Sequence, residues 1–206
     1  VIDEHGDCIK NTNNTILATS ASRYAPGAAN NWTQLPNMTA PRAYLAAATL
    51  NGTVFALGGW NNINGTLASV EAFDLAAGAH WTLLAASMTT PRYGHAAAVL
   101  RGLIYAAGGE DNDGNYLASV ERFDGGAHST WALVASMGTG RASFALVALE
   151  EGGPSHHGGM LVAAAGCSGN GCGNVLASAE AYDPVADQWA PIAGMATARG
   201  LSLIHI

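Results

Sequence analysis

An all-β propeller is the fold class predicted for this chain, and three observations predict it. A block of about 50 residues recurs three times in succession. Each block breaks into four apolar segments of four or five residues, too short for helices. Glycine, asparagine and aspartate separate those segments, as turns between strands require. Four strands per unit at this period is the blade of a propeller.

The repeat is read from fixed landmarks. Trp32, Trp81, Trp131 and Trp189 recur at intervals of 49, 50 and 58 residues. Each is followed by a methionine (Met38, Met88, Met137, Met195) and, four residues later, by an arginine (Arg42, Arg92, Arg141, Arg199). Gly58-Gly59 and Gly108-Gly109 follow Arg42 and Arg92 at the same distance. The stretch 67–74 returns at 117–124 and 176–183 with Glu71, Glu121 and Glu180 in register. In the second unit the expected strands are 96–99, 103–107, 119–123 and 131–134.

Taken in order, residues 1–14 carry no copy of the pattern. A partial blade is expected over 15–35, its third and fourth strands near 17–24 and 32–35. Full copies occupy 42–85, 92–135 and 141–193, the third with an inserted loop at 150–159. Residues 199–206 open a further blade or form a non-native tail. Propellers close with at least four blades, so the sequence predicts a fragment of a longer chain, or closure with another copy. The double glycine is expected to supply positive φ or a close approach of strands. Trp81, Trp131 and Trp189 are expected to fill the wedge between blades, and the repeated glutamates to satisfy arginine or backbone donors.

These landmarks resemble the kelch repeat over nearly the whole chain. The hallmarks are the double glycine after the second strand, an acidic and an aromatic residue in the third, and a spaced tryptophan in the fourth. The third copy departs, with Ala165-Gly166 at the double glycine. The histidine often found three residues after the arginine is present only as His95, with Leu45 and Phe144 in the other copies. The resemblance implies a propeller of six blades and, as in kelch-like adaptors, a loop-lined face that binds a protein. It also implies that residues just after the double glycine and just after the arginine touch the ligand. Those positions are Trp60, Glu110 and Cys167, then Tyr44, Tyr93 and Ser143, with Asn61, Asn62, Asp111 and Asn112 beside the first set. Loops 60–66, 110–116 and 167–175 differ between copies, and that is where function is expected.

Composition narrows the partner. The 206 residues carry a net charge of −7, a pI near 5.3 and only 11% charged residues. Nothing there attracts nucleic acid or an anionic membrane, and no apolar run approaches the roughly 18 residues of a spanning helix. The reading is a protein-interaction module, cytoplasmic, with a cullin-type ligase as partner if a BTB or F-box domain exists in the full-length chain. The alternative is a secreted recognition or carbohydrate-binding domain. Asn13, Asn31, Asn37, Asn51 and Asn64 each begin an Asn-x-Ser/Thr sequon. Cys167 and Cys172 flank a glycine-rich loop as a disulfide or as free thiols, and Cys8 stands apart.

No catalytic set, metal site or cofactor is read from the residues. Gly-x-Ser-x-Gly, P-loop, dinucleotide and zinc-protease motifs are all missing. Galactose-oxidase-like and sialic-acid-epimerase-like kelch enzymes remain a lesser alternative by resemblance. The acidic loop 110–115 has the composition of a calcium loop without its spaced glutamate, and reads as a solvated turn. His156 and His157 fall in the inserted loop, and His80 and His128 in turns.

Overall fold

The computed structural model describes residues 10–11, 14–15, 21–25, 31–77, 80–126, 129–150 and 158–200. Cys8, His128, His156 and His157, and the segment 201–206, lie outside them. The described residues contain no α-helix; apart from one 3-10 turn at Asn170–Cys172 every element is a strand.

Three antiparallel four-stranded sheets follow one another as blades. The first runs Ala46–Leu50, Thr53–Leu57, Val70–Asp74 and Thr82–Leu83, each strand paired with the next. The second runs Ala96–Leu100, Leu103–Ala107, Val120–Phe123 and Ala132–Val134. The third runs Ala145–Leu149, Met160–Ala164, Ala179–Asp183 and Gln188–Ile192. Ahead of them, Ala21–Ala25 pairs with Asn31–Leu35 as a two-stranded hairpin.

The innermost strands pack side by side, Ala96–Leu100 against both Ala46–Leu50 and Ala145–Leu149. Strands that converge on an axis leave little room, which is why the inner strands are rich in alanine. Outward the wedge widens and aromatic residues fill it. Leu50, Phe55, Leu57 and Val70 of the first blade meet Ile104, Ala106, Phe123 and Trp131 of the second. Leu100, Tyr105 and Val120 meet Leu161, Tyr182 and Trp189 in the same way. Each tryptophan lies against the third-strand aromatic of its own blade, on the side of the preceding blade: Trp81 on Phe73 at 5.4 Å, Trp131 on Phe123 at 5.1 Å and Trp189 on Tyr182 at 5.2 Å between ring centroids. The indole N–H of Trp81 donates to the Pro36 carbonyl and that of Trp189 to the Ala135 carbonyl, both at 3.0 Å. These aromatics stitch one blade to the next.

The repeated arginine and glutamate form a buried clamp in every blade. Arg42 Nη1 donates to the Gly58 and Ser69 carbonyls at 2.8 and 2.9 Å, and Nη2 to Glu71 Oε1 at 2.9 Å. Arg92 repeats this with Gly108, Ser119 and Glu121, and Arg141 with Ala165, Ser178 and Glu180. The glutamates also accept backbone N–H groups from the link that enters the blade, Thr39 and Ala40 for Glu71, Thr89 and Thr90 for Glu121. Burial raises the Glu71 pKa, but the bonds from Thr39, Arg42 and Ala40 outweigh it and hold the carboxyl below its ordinary range. These charges are scaffold: they fix the link to the blade.

The double glycine works as its position demands. Gly108 has φ +64°, and a Cβ there would lie 2.8 Å from a ring carbon of Phe144 and closer still to the Arg141 carbonyl. The third copy reaches the same conformation without glycine, with Ala165 at φ 67°. A left-handed alanine costs about 1 kcal/mol or more. Ala165→Gly is therefore expected to stabilise the protein by roughly 0.5–1 kcal/mol, read as an upward shift of the urea midpoint with unchanged slope.

Candidate functional site

The chain enters each blade from its arginine and leaves the second strand through the double glycine, so both segments reach the same end of the sheet. Backbone pairs join them: Ala43 with Trp60, Tyr93 with Glu110 and Ala142 with Cys167. The loops 60–66, 110–116 and 167–175 therefore crown one face of the three blades, beside the inner strands. A line of backbone bonds crosses that face from blade to blade. Gly94 N–H donates to the Tyr44 carbonyl at 2.9 Å, and Ser143 N–H to the Gly94 carbonyl at 2.7 Å.

This line shows how the copies correspond. Tyr44, Gly94 and Ser143 are equivalent, each two residues after its arginine, and all have positive φ (53°, 62° and 51°). Tyr93 belongs instead with Ala43 and Ala142, one residue earlier. Tyr44 and Ser143 hold a backbone conformation that L-residues seldom adopt. That conformation projects Tyr44 outward, 51% exposed. Its ring lies 6.1 Å from that of Tyr93.

The candidate residues fall into two groups. Tyr44 and Asn62 are exposed, and Trp60, Tyr93, Glu110, Asp111 and Ser143 are half-buried on the face. Asn61 and Cys167 lie beneath it with no exposed surface. Asn61 Nδ2 donates to the Pro41 carbonyl, and its Oδ1 accepts the Ile63 and Asn64 N–H groups, so this side chain shapes the first loop from within. Cys167 is bonded to Cys172 in a disulfide that closes the third loop. Asp111 folds the second loop on itself, its Oδ1 accepting the Asp113 and Asn115 N–H groups at 2.9 Å. Among the described residues no three of His, Cys, Asp and Glu come together as a metal site.

Two side chains of the second loop tie the face together. Asn112 Oδ1 accepts the Thr66 N–H of the first loop at 2.8 Å, and the Tyr116 hydroxyl accepts the Cys172 N–H of the third at 2.7 Å. Gly65, φ +68°, leaves room for Asn112; a Cβ there would meet its Oδ1 at 2.6 Å. Asn112 stood among the loop residues named from the sequence; Tyr116 did not. The available signal was Tyr116 itself, an aromatic where the other copies carry Thr66 and Val175. Three large apolar side chains stand out on this face: Tyr44, Ile63 at 77% exposure and Val175 at 50%.

His95 sits under the face in the place of Leu45 and Phe144. It is buried, near Gly58 and Gly109, and neither ring nitrogen has a hydrogen-bond partner among the described residues. Burial, and then the Arg92 charge, lower its pKa to about 3. Above an unfolded-state pKa of about 6.5 the ring is neutral in both states. Between that value and about 3 the unfolded chain binds a proton that the folded chain refuses, so stability falls as pH falls. His95→Leu is expected to flatten this part of the profile. Denaturant midpoints of both proteins at about pH 7 and about pH 4.5 check it: an equal loss in the two would refute the assignment.

The comparisons with known proteins agree with this architecture. The family model described as Kelch motif matches residues 41–85, 91–138 and 153–196. Among solved structures, "Structure of YjhT" superposes with a TM-score of 0.70 at 16% sequence identity. The match covers 85% of this chain and 59% of that one, so the chain spans about three fifths of its length. At such identity the likeness speaks for the fold alone. No curated protein matches the chain.

Proposed function

The chain belongs to the kelch-repeat family, and from that premise we propose that it is a protein-interaction module whose binding face is crowned by loops 60–66, 110–116 and 167–175. One observation carries the reading. Tyr44, Ile63 and Val175 stand exposed on a single face whose loops are tied to one another by Asn112 and Tyr116. Exposed aromatic and apolar side chains on a pre-organised surface are what a protein interface needs. Beneath that face the repeated arginines and glutamates are paired with one another. Substrate recognition for a ubiquitin ligase is the finer form of this reading, and it requires an appended BTB or F-box domain.

A partner captured from native extract by the wild-type protein is expected to be lost on the Tyr44→Ala, Ile63→Asp double variant, with the thermal midpoint unchanged because both side chains are exposed. Retention of the partner by that variant would move the interface elsewhere.

A secreted form of the same module is favoured by a specific observation. Cys167 and Cys172 are joined, a state that persists in oxidising compartments. Sequon residues Asn37, Asn51 and Asn64 are all exposed. No helix among the described residues is long and apolar enough to cross a membrane. Occupied glycans at Asn37, Asn51 or Asn64 in native material would establish the secretory route; wholly unmodified asparagines would remove it.

A further inference from the structure

We propose that Tyr44, Tyr93 and Tyr116, gathered about the Glu110 carboxylate, form a subsite for a basic side chain, arginine or lysine, presented by the protein partner. This rests on the interaction reading above and names the chemistry of the partner.

The geometry brings these four residues together from two blades. Glu110 is paired through its backbone with Tyr93 on one side and Tyr116 on the other. The Tyr93 hydroxyl and the Glu110 carboxylate lie within electrostatic reach of each other, and Tyr116 and Tyr44 lie within reach of Tyr93. Burial and then the neighbouring Glu110 carboxylate raise the Tyr93 pKa, so its hydroxyl stays protonated and remains a donor. Tyr44 comes from the first blade and stacks beside Tyr93 at 6.1 Å with a 52° tilt, half of its surface in solvent. Tyr116 is held in place by the Cys172 N–H at its hydroxyl. The result is an aromatic wall around one carboxylate at the centre of the face.

The charge of that face has one sign. Loops 60–66, 110–116 and 167–175 and the links 43–45, 93–95 and 142–144 contain no lysine or arginine. His95, the histidine among them, is buried and its pKa is depressed to about 3. Arg42, Arg92 and Arg141 lie below, each neutralised by its glutamate. Asp111 spends its carboxylate on its own loop. Glu110 makes no ion pair among the described residues. A tyrosine face attracts a cation through its ring quadrupole, and a guanidinium can stack on such a ring while bonding a carboxylate. An acidic partner segment would meet repulsion from Glu110 and Asp113 instead.

The test is selection of phage-displayed random peptides on the immobilised protein, with each binder remeasured on three variants. Tyr44→Ala, Ile63→Asp reports whether a peptide occupies the face. Glu110→Gln keeps the shape while removing the charge. Tyr93→Phe is the second subsite variant, in case Glu110→Gln disturbs the loop. The expected result is peptides carrying an arginine or lysine whose replacement by alanine weakens binding about tenfold, with Glu110→Gln weakening the same peptides equally and without further loss when the two changes are combined. Their affinity falls as salt is raised. Peptides lost on the double variant but indifferent to Glu110→Gln and Tyr93→Phe, and free of essential basic residues, would overturn the subsite and leave the interaction face standing. Binders indifferent to all three variants would overturn both.

Discussion

Replacing Arg92 by alanine is expected to lower the stability of the protein by about 3–5 kcal/mol, the effect of breaking a buried ion pair by removing one partner. Arg92 and Glu121 are both fully buried, 2.8 Å apart. Without the guanidinium, the Gly108 carbonyl loses its donor, the Ser119 carbonyl keeps only the Gly108 N–H, and Glu121 is left as a charge out of water, held by the Thr89 and Thr90 N–H groups. Glu121→Ala is expected to be as damaging, since it strands the guanidinium and frees the link that enters the second blade. The double variant should lose less than the sum of the two, because each single change already forfeits the pair. Urea denaturation of the four proteins checks this. Strict additivity would show that the clamp does not act as a unit. An exposed pair would not behave this way; its worth would be within about 1 kcal/mol.

Trp131→Ala is expected to cost about 3–5 kcal/mol, the second of the two largest effects. Trp131 is stacked on Phe123 with an interplanar angle of 13°, and this pair closes the wedge against Phe55 and Leu57 of the first blade. Alanine would open a cavity between two rigid sheets that cannot collapse onto it. The three tryptophans differ in one respect that sharpens the test. The indole N–H groups of Trp81 and Trp189 have carbonyl partners, whereas that of Trp131 has none among the described residues. Replacement by phenylalanine should therefore be milder at 131 than at 81 by about one hydrogen bond, roughly 1 kcal/mol. Thermal unfolding of the two phenylalanine variants decides it.

Most of the architecture was legible because it repeats. A residue kept at the same place in three successive copies is kept for what every blade needs, and Arg42, Arg92 and Arg141 with Glu71, Glu121 and Glu180 met that expectation as clamps. The tryptophans met it as interblade wedges. In the second blade strand boundaries were legible to within a residue: 96–99 became Ala96–Leu100 and 131–134 became Ala132–Val134. The candidate face was legible only in outline. Tyr44, Tyr93 and Ser143 looked like one class, yet Tyr93 is offset by one residue and pairs with Glu110, while Tyr44 and Ser143 share a left-handed backbone with Gly94. Asn61 and Cys167 looked like surface positions and lie beneath it. Composition says that a loop is polar, but not which of its side chains turns inward to satisfy the backbone.

The sequence by itself determined that the chain is built of four-stranded units and which residues hold each unit together. It could do so because blade geometry is local: a strand, a turn and a clamp are set by residues close in the repeat, and repetition displays them. Only the tertiary structure decided what the loops do to each other. Asn112 reaching back to Thr66, Tyr116 reaching forward to Cys172 and Tyr44 leaning on Tyr93 are contacts between blades, over 46, 56 and 49 positions of chain. No period records them, because each occurs once, and each depends on the angle at which one rigid blade packs against the next.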